Sequence, residues 1–393
     1  MPGETKTATG VTRVTLSDFR CYARLRLDAD LRPAVLTGPN GAGKTNLIEA
    51  LSFLTPGRGL RRARLAEVTR RDAGDGAGWA VAATVQTPSG PVEVGTGRES
   101  GQGEGRGGSG EPRDRRVVRI DGETVRGQVA LAEVASAVWL TPAMDRLFVE
   151  GASARRRFLD RLAFGLDTGH AARVSAYENA LRQRARLLRE ERRADPAWLA
   201  ALEETMAETG VAVAAARRDV VARLARACAG ADGPFPRAVP TLEGTVETWL
   251  DEGPALEVES RLRRALSAGR SVDGRTGGAA EGPHRSDLLV RHGDKDMPAA
   301  HCSTGEQKAL LISLVLAQAR IQTSARGWAP LLLLDEVVAH LDETRRRALF
   351  DTVCALGAQA WMTGTDQSLF AGLGERGQFF RVQDAAVTRQ SAV

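Results

Sequence analysis

Lysine and asparagine are scarce in this chain of 393 residues, whose positive charge is carried almost wholly by arginine. The lysines are Lys6, Lys44, Lys295 and Lys308, and the asparagines are Asn40, Asn46 and Asn179. One lysine and two asparagines therefore fall inside the short segment 40–46. A chain with this bias keeps lysine where a compact ammonium does what a guanidinium cannot, for example reaching between phosphate oxygens. The scarcity marks this segment as the first candidate for a functional site.

Other scarce features exclude several classes of protein. Aromatic residues make up only 5% of the chain, which leaves few platforms on which single-stranded bases could stack. The four cysteines are far apart and lack metal-ligand spacing, so we expect free thiols in a reducing compartment. No run approaches about eighteen apolar residues and the N-terminus has no apolar core, so we expect no transmembrane helix, no signal peptide and a cytoplasmic location. A net charge of +5 at pH 7 permits a polyanionic partner without proving one.

The segment around Lys44 fits the phosphate-binding P-loop pattern G-x-x-x-x-G-K-[ST]. Residues 34–37 in front of it predict a short buried strand, and residues 46–54 behind it predict an amphipathic helix. The alternative is a glycine-rich turn that binds nothing, and the combination of strand, loop, Lys-Thr pair and helix argues against it. We therefore predict nucleotide contacts from Gly38, Pro39, Asn40, Gly41, Ala42, Gly43, Lys44, Thr45 and Asn46.

The chemistry of this loop predicts ATP and Mg²⁺ as ligands. Its glycines let successive backbone N–H groups point inward as an anion-binding nest, and the following helix adds its positive N-terminal end. Lys44 is expected to reach the β- and γ-phosphates, and Thr45 to hold Mg²⁺.

Hydrolysis needs a second, acidic strand, and residues 331–336 supply it. Four leucines predict a buried parallel strand, and Asp335 and Glu336 follow at its carboxyl end. Asp335 is expected to support the Mg²⁺ shell, and Glu336 to orient and deprotonate the attacking water. An apolar strand that ends at an acidic helix cap would show the same residues, but the P-loop makes the catalytic interpretation stronger.

A second anion site is predicted where a long apolar-faced helix begins near residue 306. The run Ser303-Thr304-Gly305-Glu306-Gln307-Lys308 resembles the signature motif of ATP-binding-cassette ATPases, which implies that Ser303, Gly305 and Gln307 contact nucleotide held by a second copy of the chain. Asp342 occupies the place of the D-loop of that class. No histidine stands at the switch position, where Thr365 or Asp366 would have to sense the γ-phosphate.

Between these motifs the chain changes character. Residues 153–229 contain little glycine or proline and predict two or three long helices, an insertion in an α/β domain. For most arginines of this insertion we prefer a solvated helix face, but the cluster Arg155, Arg156 and Arg157 is denser than pairing requires and is a candidate DNA contact. Two glycine-rich segments, 99–116 and 269–282, predict loops.

Several motifs in order resemble the RecF family and cover the chain from about residue 11 to its C-terminus. They are Phe19-Arg20-Cys21-Tyr22, the P-loop, Gly57-Arg58-Gly59-Leu60-Arg61, Ala154-Arg155-Arg156-Arg157-Phe158-Leu159-Asp160, Gly282-Pro283-His284-Arg285-Ser286-Asp287, the signature run and Met362-Thr363-Gly364-Thr365-Asp366. The combination of these motifs is specific for the family, although each single motif after the P-loop is not. The two glycine-rich segments depart from the family pattern.

This resemblance implies a fold and a function. The fold is an α/β ATPase head of the ATP-binding-cassette type, with a mixed sheet and helices, interrupted by a mainly helical arm; the expected bounds are 1–145 and 284–393 for the head and 146–283 for the arm. The implied function is a weak, DNA-stimulated ATPase of recombinational repair. Such proteins dimerise with ATP, bind DNA at junctions of single and double strands, and act with RecR and RecO to help load RecA at gaps.

Two other functions fit part of the pattern. An ATPase subunit of a transporter would need a membrane partner, a nearly complete signature and a switch histidine, and the helical insertion argues against it. A tether of the structural-maintenance-of-chromosomes kind would need coiled coils of several hundred residues, and residues 153–229 are far too few.

Overall fold

The computed structural model describes residues 9–74, 76–99, 115–189 and 195–392. The chain forms two compact units. The first unit consists of residues 1–144, 233–235 and 318–393, and the second of residues 145–232 and 236–317.

The described residues form the following strands and α-helices, numbered in chain order. The strands are β1 (Gly10–Phe19), β2 (Tyr22–Asp28), β3 (Ala34–Thr37), β4 (Trp79–Thr87), β5 (Gly90–Arg98), β6 (Arg116–Ile120), β7 (Glu123–Thr124), β8 (Ala137–Leu140), β9 (Ala238–Glu243), β10 (Asp287–His292), β11 (Met297–Pro298), β12 (Leu331–Leu334), β13 (Ala360–Gly364), β14 (Gln378–Gln383) and β15 (Ala386–Gln390). The α-helices are α1 (Lys44–Ser52), α2 (Leu65–Val68), α3 (Leu131–Val134), α4 (Ala152–Phe164), α5 (His170–Arg189), α6 (Pro196–Ala229), α7 (Thr245–Glu252), α8 (Ala255–Thr276), α9 (Thr304–Arg326) and α10 (Glu343–Leu356).

One sheet of the first unit is mainly parallel and has the order β15-β14-β3-β13-β12-β8. Strands β14, β3, β13, β12 and β8 run parallel, and β15 returns antiparallel as a hairpin. Every residue of β3, β12 and β13 is buried, as expected for parallel strands covered on both faces. Because β3 and β12 are both neighbours of β13, the P-loop and the acidic pair that follow them come to one edge of the sheet.

The other sheet of the first unit is antiparallel, with the order β2-β1-β4-β5-β6-β7. Its strands alternate between buried and exposed residues, so one face packs on the core and the other faces solvent. The buried face meets α1 in a core that includes Phe19, Phe53 and Trp79, whose rings make edge contacts with one another. These strands and the mixed architecture confirm the fold predicted for the head.

The second unit is helical with a small sheet. Helices α4, α5 and α6 confirm the predicted long helices of the insertion. The unit also contains a three-stranded antiparallel sheet with the order β11-β10-β9. Residues 284–317 cluster with this unit, whereas the sequence placed them in the head. Because β10 pairs with β9, this division of the chain differs from the predicted one.

The prediction of a loop over residues 269–282 is wrong for its first half. Helix α8 continues to Thr276 and ends at Gly277, which has a left-handed φ of 86°. Gly274 inside the helix serves close packing, because a Cβ there would lie 3.1 Å from the carbonyl oxygen of Leu188 on α5. The composition therefore predicted a loop where the structure has a helix in close contact with α5. The other segment, 99–116, lies mostly outside the described residues.

A buried charge network holds α5, α6 and α8 together. The Arg184 side chain is 1% exposed and donates to Glu203 at 2.9 Å, to Asp273 at 2.8 Å and to the Leu266 carbonyl at 2.6 Å. Arg270 adds a second cation to Glu203 at 2.6 Å. The network pairs each buried charge, which is the condition under which such charges are tolerated in a protein interior.

We expect Arg184→Ala to lower the free energy of unfolding by about 3–5 kcal/mol, because it leaves two carboxylates buried beside one remaining arginine. Arg182→Ala on the same helix is the matched control: its side chain is 65% exposed, so the expected change is within about 0.5 kcal/mol. Urea denaturation measures both. Equal effects of the two substitutions would contradict a stabilising role of the network.

Candidate functional site: the nucleotide-binding edge of the first unit

The P-loop connects β3 to α1 with three glycines in the left-handed region of φ. A Cβ at Gly38, whose φ is 148°, would lie 2.0 Å from the carbonyl oxygen of Val382 in β14. A Cβ at Gly43, whose φ is 113°, would lie 2.7 Å from the hydroxyl of Tyr22. Around Gly41 nothing lies within 4 Å, so the tip of the loop faces open space. The loop is therefore anchored at both ends and open in the middle, where a phosphate chain would enter.

Lys44 points back over the loop. Its ammonium donates to the carbonyl oxygens of Gly38 at 2.6 Å and of Pro39 at 2.8 Å. Burial lowers the pKa of Lys44, and the nearby carboxylates of Glu336 and Asp335 oppose that shift. The charged end of Lys44 is thus held at the loop by carbonyls that phosphate oxygens can replace.

The carboxylate of Asp335 joins the P-loop to the acidic strand. Thr45 donates its hydroxyl to Asp335, with distances of 2.9 and 3.0 Å to the two oxygens. Thr363 of β13 donates to the same carboxylate at 2.7 Å and accepts the backbone N–H of Glu336 at 2.8 Å. The hydroxyl of Thr45 and the carboxylate of Asp335, predicted as Mg²⁺ ligands, therefore lie together, although 290 positions separate them in the chain.

Glu336 follows with a left-handed φ of 50°, a conformation that a residue with a Cβ rarely adopts. The hydrogen bond from its N–H to Thr363 supports this turn, and Thr363 is fully buried. Backbone strain of this kind clusters at functional sites. Thr363 was not among the predicted site residues; its position in the Met-Thr-Gly-Thr-Asp motif was the available signal.

The other residues predicted near the γ-phosphate have local roles in the structure. Asp342 caps α10 by accepting the N–H of Arg345 at 2.8 Å. Asp366 accepts the N–H of Ser368 at 2.8 Å, which lowers the pKa of its carboxyl group. Thr365 and Asp366 are exposed, so γ-phosphate sensing by either one stays a prediction.

Two arginines form ion pairs with a glutamate of α1. Glu49 is fully buried and accepts two hydrogen bonds from Arg20, at 2.7 and 2.9 Å, and one from Arg61 at 2.9 Å. Arg61 also donates to Asn46 at 2.8 Å, so this predicted nucleotide contact is held beside the P-loop. Tyr22 donates its hydroxyl to the Gly43 carbonyl at 3.1 Å, and burial together with the neighbouring Cys21 raises the pKa of Tyr22. The Phe-Arg-Cys-Tyr motif thus packs against the P-loop.

The signature segment belongs to the second unit, at the start of α9. Ser303 and Glu306 form a reciprocal cap: Ser303 donates its N–H and its hydroxyl to Glu306, each at 2.9 Å. The ammonium of Lys295 and then Ser303 lower the pKa of Glu306 to about 2. Gln307 donates to the Cys302 carbonyl at 2.9 Å and is buried, whereas a Cβ at Gly305 would meet open space. Ser303 and Gly305 are accessible, and Gln307 shapes the loop beneath them.

Two of the three arginines predicted to contact DNA make contacts inside the second unit. Arg155 makes a two-point bond to Asp287, with both distances 2.7 Å, and Arg156 donates to the Ser286 carbonyl at 2.9 Å. Their guanidinium groups are therefore used inside the second unit to hold the segment that begins at Gly282. Arg157 is the exposed member and donates to Ser153 at 2.5 Å, so a DNA contact by Arg157 stays a prediction.

His284 has a structural role in this segment. Its ring nitrogens contact the hydroxyl of Tyr177 at 2.6 Å and the carbonyl of Ala279 at 3.0 Å. Burial lowers the pKa of His284 to about 4, which keeps the ring neutral at physiological pH. These contacts make His284 a residue that caps the loop.

Comparison with known proteins agrees with these motifs. Residues 10–387 match the family described as RecF/RecN/SMC N terminal domain. The DNA replication and repair protein RecF of Mesorhizobium japonicum is 50% identical over 389 residues, covering 98% of this chain and 98% of the relative. The RecF protein of Rhizobium meliloti is 49% identical, covering 96% and 98%. The chain belongs to the RecF family.

Solved structures show the same fold. One described as the recombination mediator protein RecF-ATP in the RecFOR pathway has a TM-score of 0.81 at 20% identity, with 98% of each chain covered. The SMC head domain of Pyrococcus furiosus, bound to the C-terminal domain of ScpA, has a TM-score of 0.52 at 14% identity, covering 98% of this chain and 96% of that chain. Membership of this RecF and SMC class implies ATP binding and hydrolysis, and the transporter alternative finds no support.

Within the described parts of this RecF-family chain, no helix is both long and apolar enough to cross a bilayer.

We expect Thr363→Val to lower the turnover number for ATP hydrolysis roughly 10- to 100-fold, as loss of a supporting group around a metal ligand typically does. The hydroxyl is needed both to orient Asp335 and to accept the N–H of Glu336. Thr363→Ser keeps the hydroxyl and should restore most of the rate. Steady-state hydrolysis at saturating ATP and Mg²⁺ measures the effect. If valine and serine act alike, Thr363 is only a packing residue.

Proposed function

We propose that this RecF-family chain is a DNA-stimulated ATPase whose ATP-bound dimer holds DNA at junctions of single and double strands, and whose slow hydrolysis releases it. The observation that carries the proposal is the convergence of Thr45, Asp335 and Lys44 at one sheet edge, with Glu336 next in the chain. A phosphate site, a pair of metal-ligand oxygens and a carboxylate suited to act as a base are the parts that nucleotide hydrolysis requires.

The residues present fit Mg²⁺ and the phosphate chain. Hydroxyl and carboxylate oxygens are the ligands that this hard cation prefers, and Thr45 and Asp335 supply them. When bound, Mg²⁺ neutralises charge on the phosphate oxygens. Lys44 then binds those oxygens in place of the loop carbonyls, and the glycines of the loop present backbone N–H groups. Glu336 accepts the proton of the attacking water.

The hydrolytic site needs a second copy of the chain in this proposal. Ser303 and Gly305 lie at the positively polarised start of α9 with open space around Gly305, so this surface suits the γ-phosphate of a neighbouring molecule. From the resemblance of its segment to a D-loop, we infer that Asp342 also contacts the neighbouring molecule. ATP would thus join two chains, and hydrolysis would part them.

The cellular role follows from family membership. The RecF structure that resembles this chain is described as a recombination mediator in the RecFOR pathway. We infer that this chain acts with RecR and RecO, that its partners are DNA and a second copy of itself, and that it assists the loading of RecA at gaps. Hydrolysis then serves as a release timer rather than a motor.

Glu336→Gln should trap the dimer, because it keeps the shape of the side chain and removes the base. We expect hydrolysis to fall on the order of 10²- to 10⁴-fold while ATP still binds. Light scattering with ATP should show twice the monomer mass, and Glu343→Gln, the same change at an exposed residue of α10, should leave both readouts unaltered. A persistent monomer in saturating ATP would contradict the composite site.

Gapped duplex DNA should raise the hydrolysis rate of the unaltered chain. Lys44→Ala is the negative control, because it removes the ammonium that replaces the loop carbonyls and should abolish ATP binding. Hydrolysis that is insensitive to gapped DNA would contradict DNA stimulation, whereas undiminished ATP affinity in Lys44→Ala would contradict the phosphate site itself.

A further inference from the structure

The solvent-facing side of the antiparallel sheet presents residues in rows that the strand register defines. One row crosses the sheet through Arg24, Ser17, Ala80, Gly97 and Val117. This row has one arginine, on β2 at the edge of the sheet, and small residues across β1, β4 and β5. The buried core lies on the opposite side of the same strands.

The next row crosses through Arg26, Thr15, Ala82, Gly95 and Arg119. It has an arginine on β2 and another on β6, with three small residues between them. A Cβ at Gly95 would lie 3.7 Å from the Cβ of Arg119, which places these two positions side by side on the face. We call the surface made by these two rows the flat face.

The flat face carries three arginines, and one of them, Arg26, adds to the effect of Arg13 in lowering the pKa of Asp28. Arg24, Arg26 and Arg119 are exposed and, among the described residues, none of the three lies in an ion pair. The row beyond them differs, because Arg13 is paired with Asp28 at 2.6 Å and Glu93 accepts from Thr84 at 2.7 Å. The cationic strip is thus bordered on this side by a row with two carboxylates and one arginine.

The shape of the flat face suits a rigid rod. Four strand spacings of about 4.8 Å put Arg26 and Arg119 roughly 19 Å apart. The residues between them are Ala, Gly and Thr, so no long side chain keeps a partner from the backbone. Arginines at this separation can reach phosphates on both sides of a major groove about 12 Å wide.

The composition of the flat face argues against a protein partner. Protein interfaces draw their energy from buried aromatic and large apolar anchors, with Trp, Tyr and Arg as hot spots. The two rows contain no aromatic residue, and Val117 is their one large apolar residue. Charge complementarity without apolar anchors is the arrangement that binds a polyanion through its phosphates.

We propose that the flat face binds the phosphodiester backbone of duplex nucleic acid, without reading its sequence, through Arg24, Arg26 and Arg119. The proposal rests on the DNA-binding function proposed above and assigns that function a surface. It places the contact on the antiparallel sheet of the first unit, whose strand β2 also carries Tyr22 beside the P-loop.

The test is the triple substitution Arg24→Gln, Arg26→Gln and Arg119→Gln in the full chain with ATP. Fluorescence anisotropy with a labelled duplex measures affinity across a salt series. We expect at least about tenfold weaker binding at 0.1 M salt, and a salt slope reduced by roughly 2 to 3, because each lost phosphate contact removes close to one from the slope. Thermal melting and ATP affinity verify that the fold and the nucleotide site are intact.

The matched control removes three positive charges elsewhere on the same unit: Arg381→Gln and Arg389→Gln within the other sheet, and Arg32→Gln just before its strand β3. These residues are exposed, and their loss changes the net charge equally. Equal weakening in both triple variants would overturn the proposal, because it would show an effect of net charge alone.

A second pair of variants tests the centre of the flat face without removing an arginine. Ala82→Glu and Ala82→Gln have nearly the same size and differ in charge, so the glutamate alone should weaken duplex binding, by about tenfold. No difference between them would contradict the proposal. So would loss of ATP-dependent dimerisation with duplex affinity retained, which would make the flat face an interface between copies.

The two proposals fail in different ways. If the unaltered chain with ATP binds no duplex, the proposed function itself is wrong. If the unaltered chain binds and the flat-face variants bind equally well, only the assignment of the surface is wrong.

Discussion

The carboxylate of Asp335 is the contact on which the nucleotide site depends. Two hydroxyls donate to it, one from Thr45 at the start of α1 and one from Thr363 in β13, so three segments that are remote in sequence meet at one group. Thr363 also accepts the N–H of Glu336, which sets the left-handed turn of the residue that would act as base. A shift of β12 against β13 would therefore disturb the metal ligands and the base together.

The motifs could be predicted from the sequence because each is local. The P-loop is one strand, one turn and one helix start, and the strand before Asp335 is a run of four leucines. What joins the motifs is the strand order, and the order β3-β13-β12 depends on which buried strands pair. Thr363 escaped prediction for this reason: it lies in the Met-Thr-Gly-Thr-Asp motif, but only the pairing of β12 with β13 brings its hydroxyl to Asp335.

The arginine-rich insertion shows where composition misleads. A dense run of arginines predicts an anion contact, yet Arg155 and Arg156 serve Asp287 and the Ser286 carbonyl. Glycines in 269–276 predict a loop, yet the segment is helical and Gly274 lets α8 approach α5 closely. In both cases the partner comes from a distant part of the chain. Whether such a residue faces solvent, binds a ligand or makes an internal contact therefore depends on the tertiary structure. Arg24 on β2 is exposed and has no ion-pair partner among the described residues.

The flat face and the nucleotide site share one strand. The turn between β1 and β2 places Arg20 against Glu49 of α1, and β2 begins at Tyr22, whose hydroxyl holds the Gly43 carbonyl of the P-loop. Arg24 and Arg26 follow on the same strand, two and four residues further along. Two contacts, Arg20 with Glu49 and Tyr22 with the Gly43 carbonyl, therefore join the P-loop and its helix to the strand that carries these arginines. If the flat face binds DNA as proposed, these contacts are where the binding of nucleotide would be coupled to the binding of DNA.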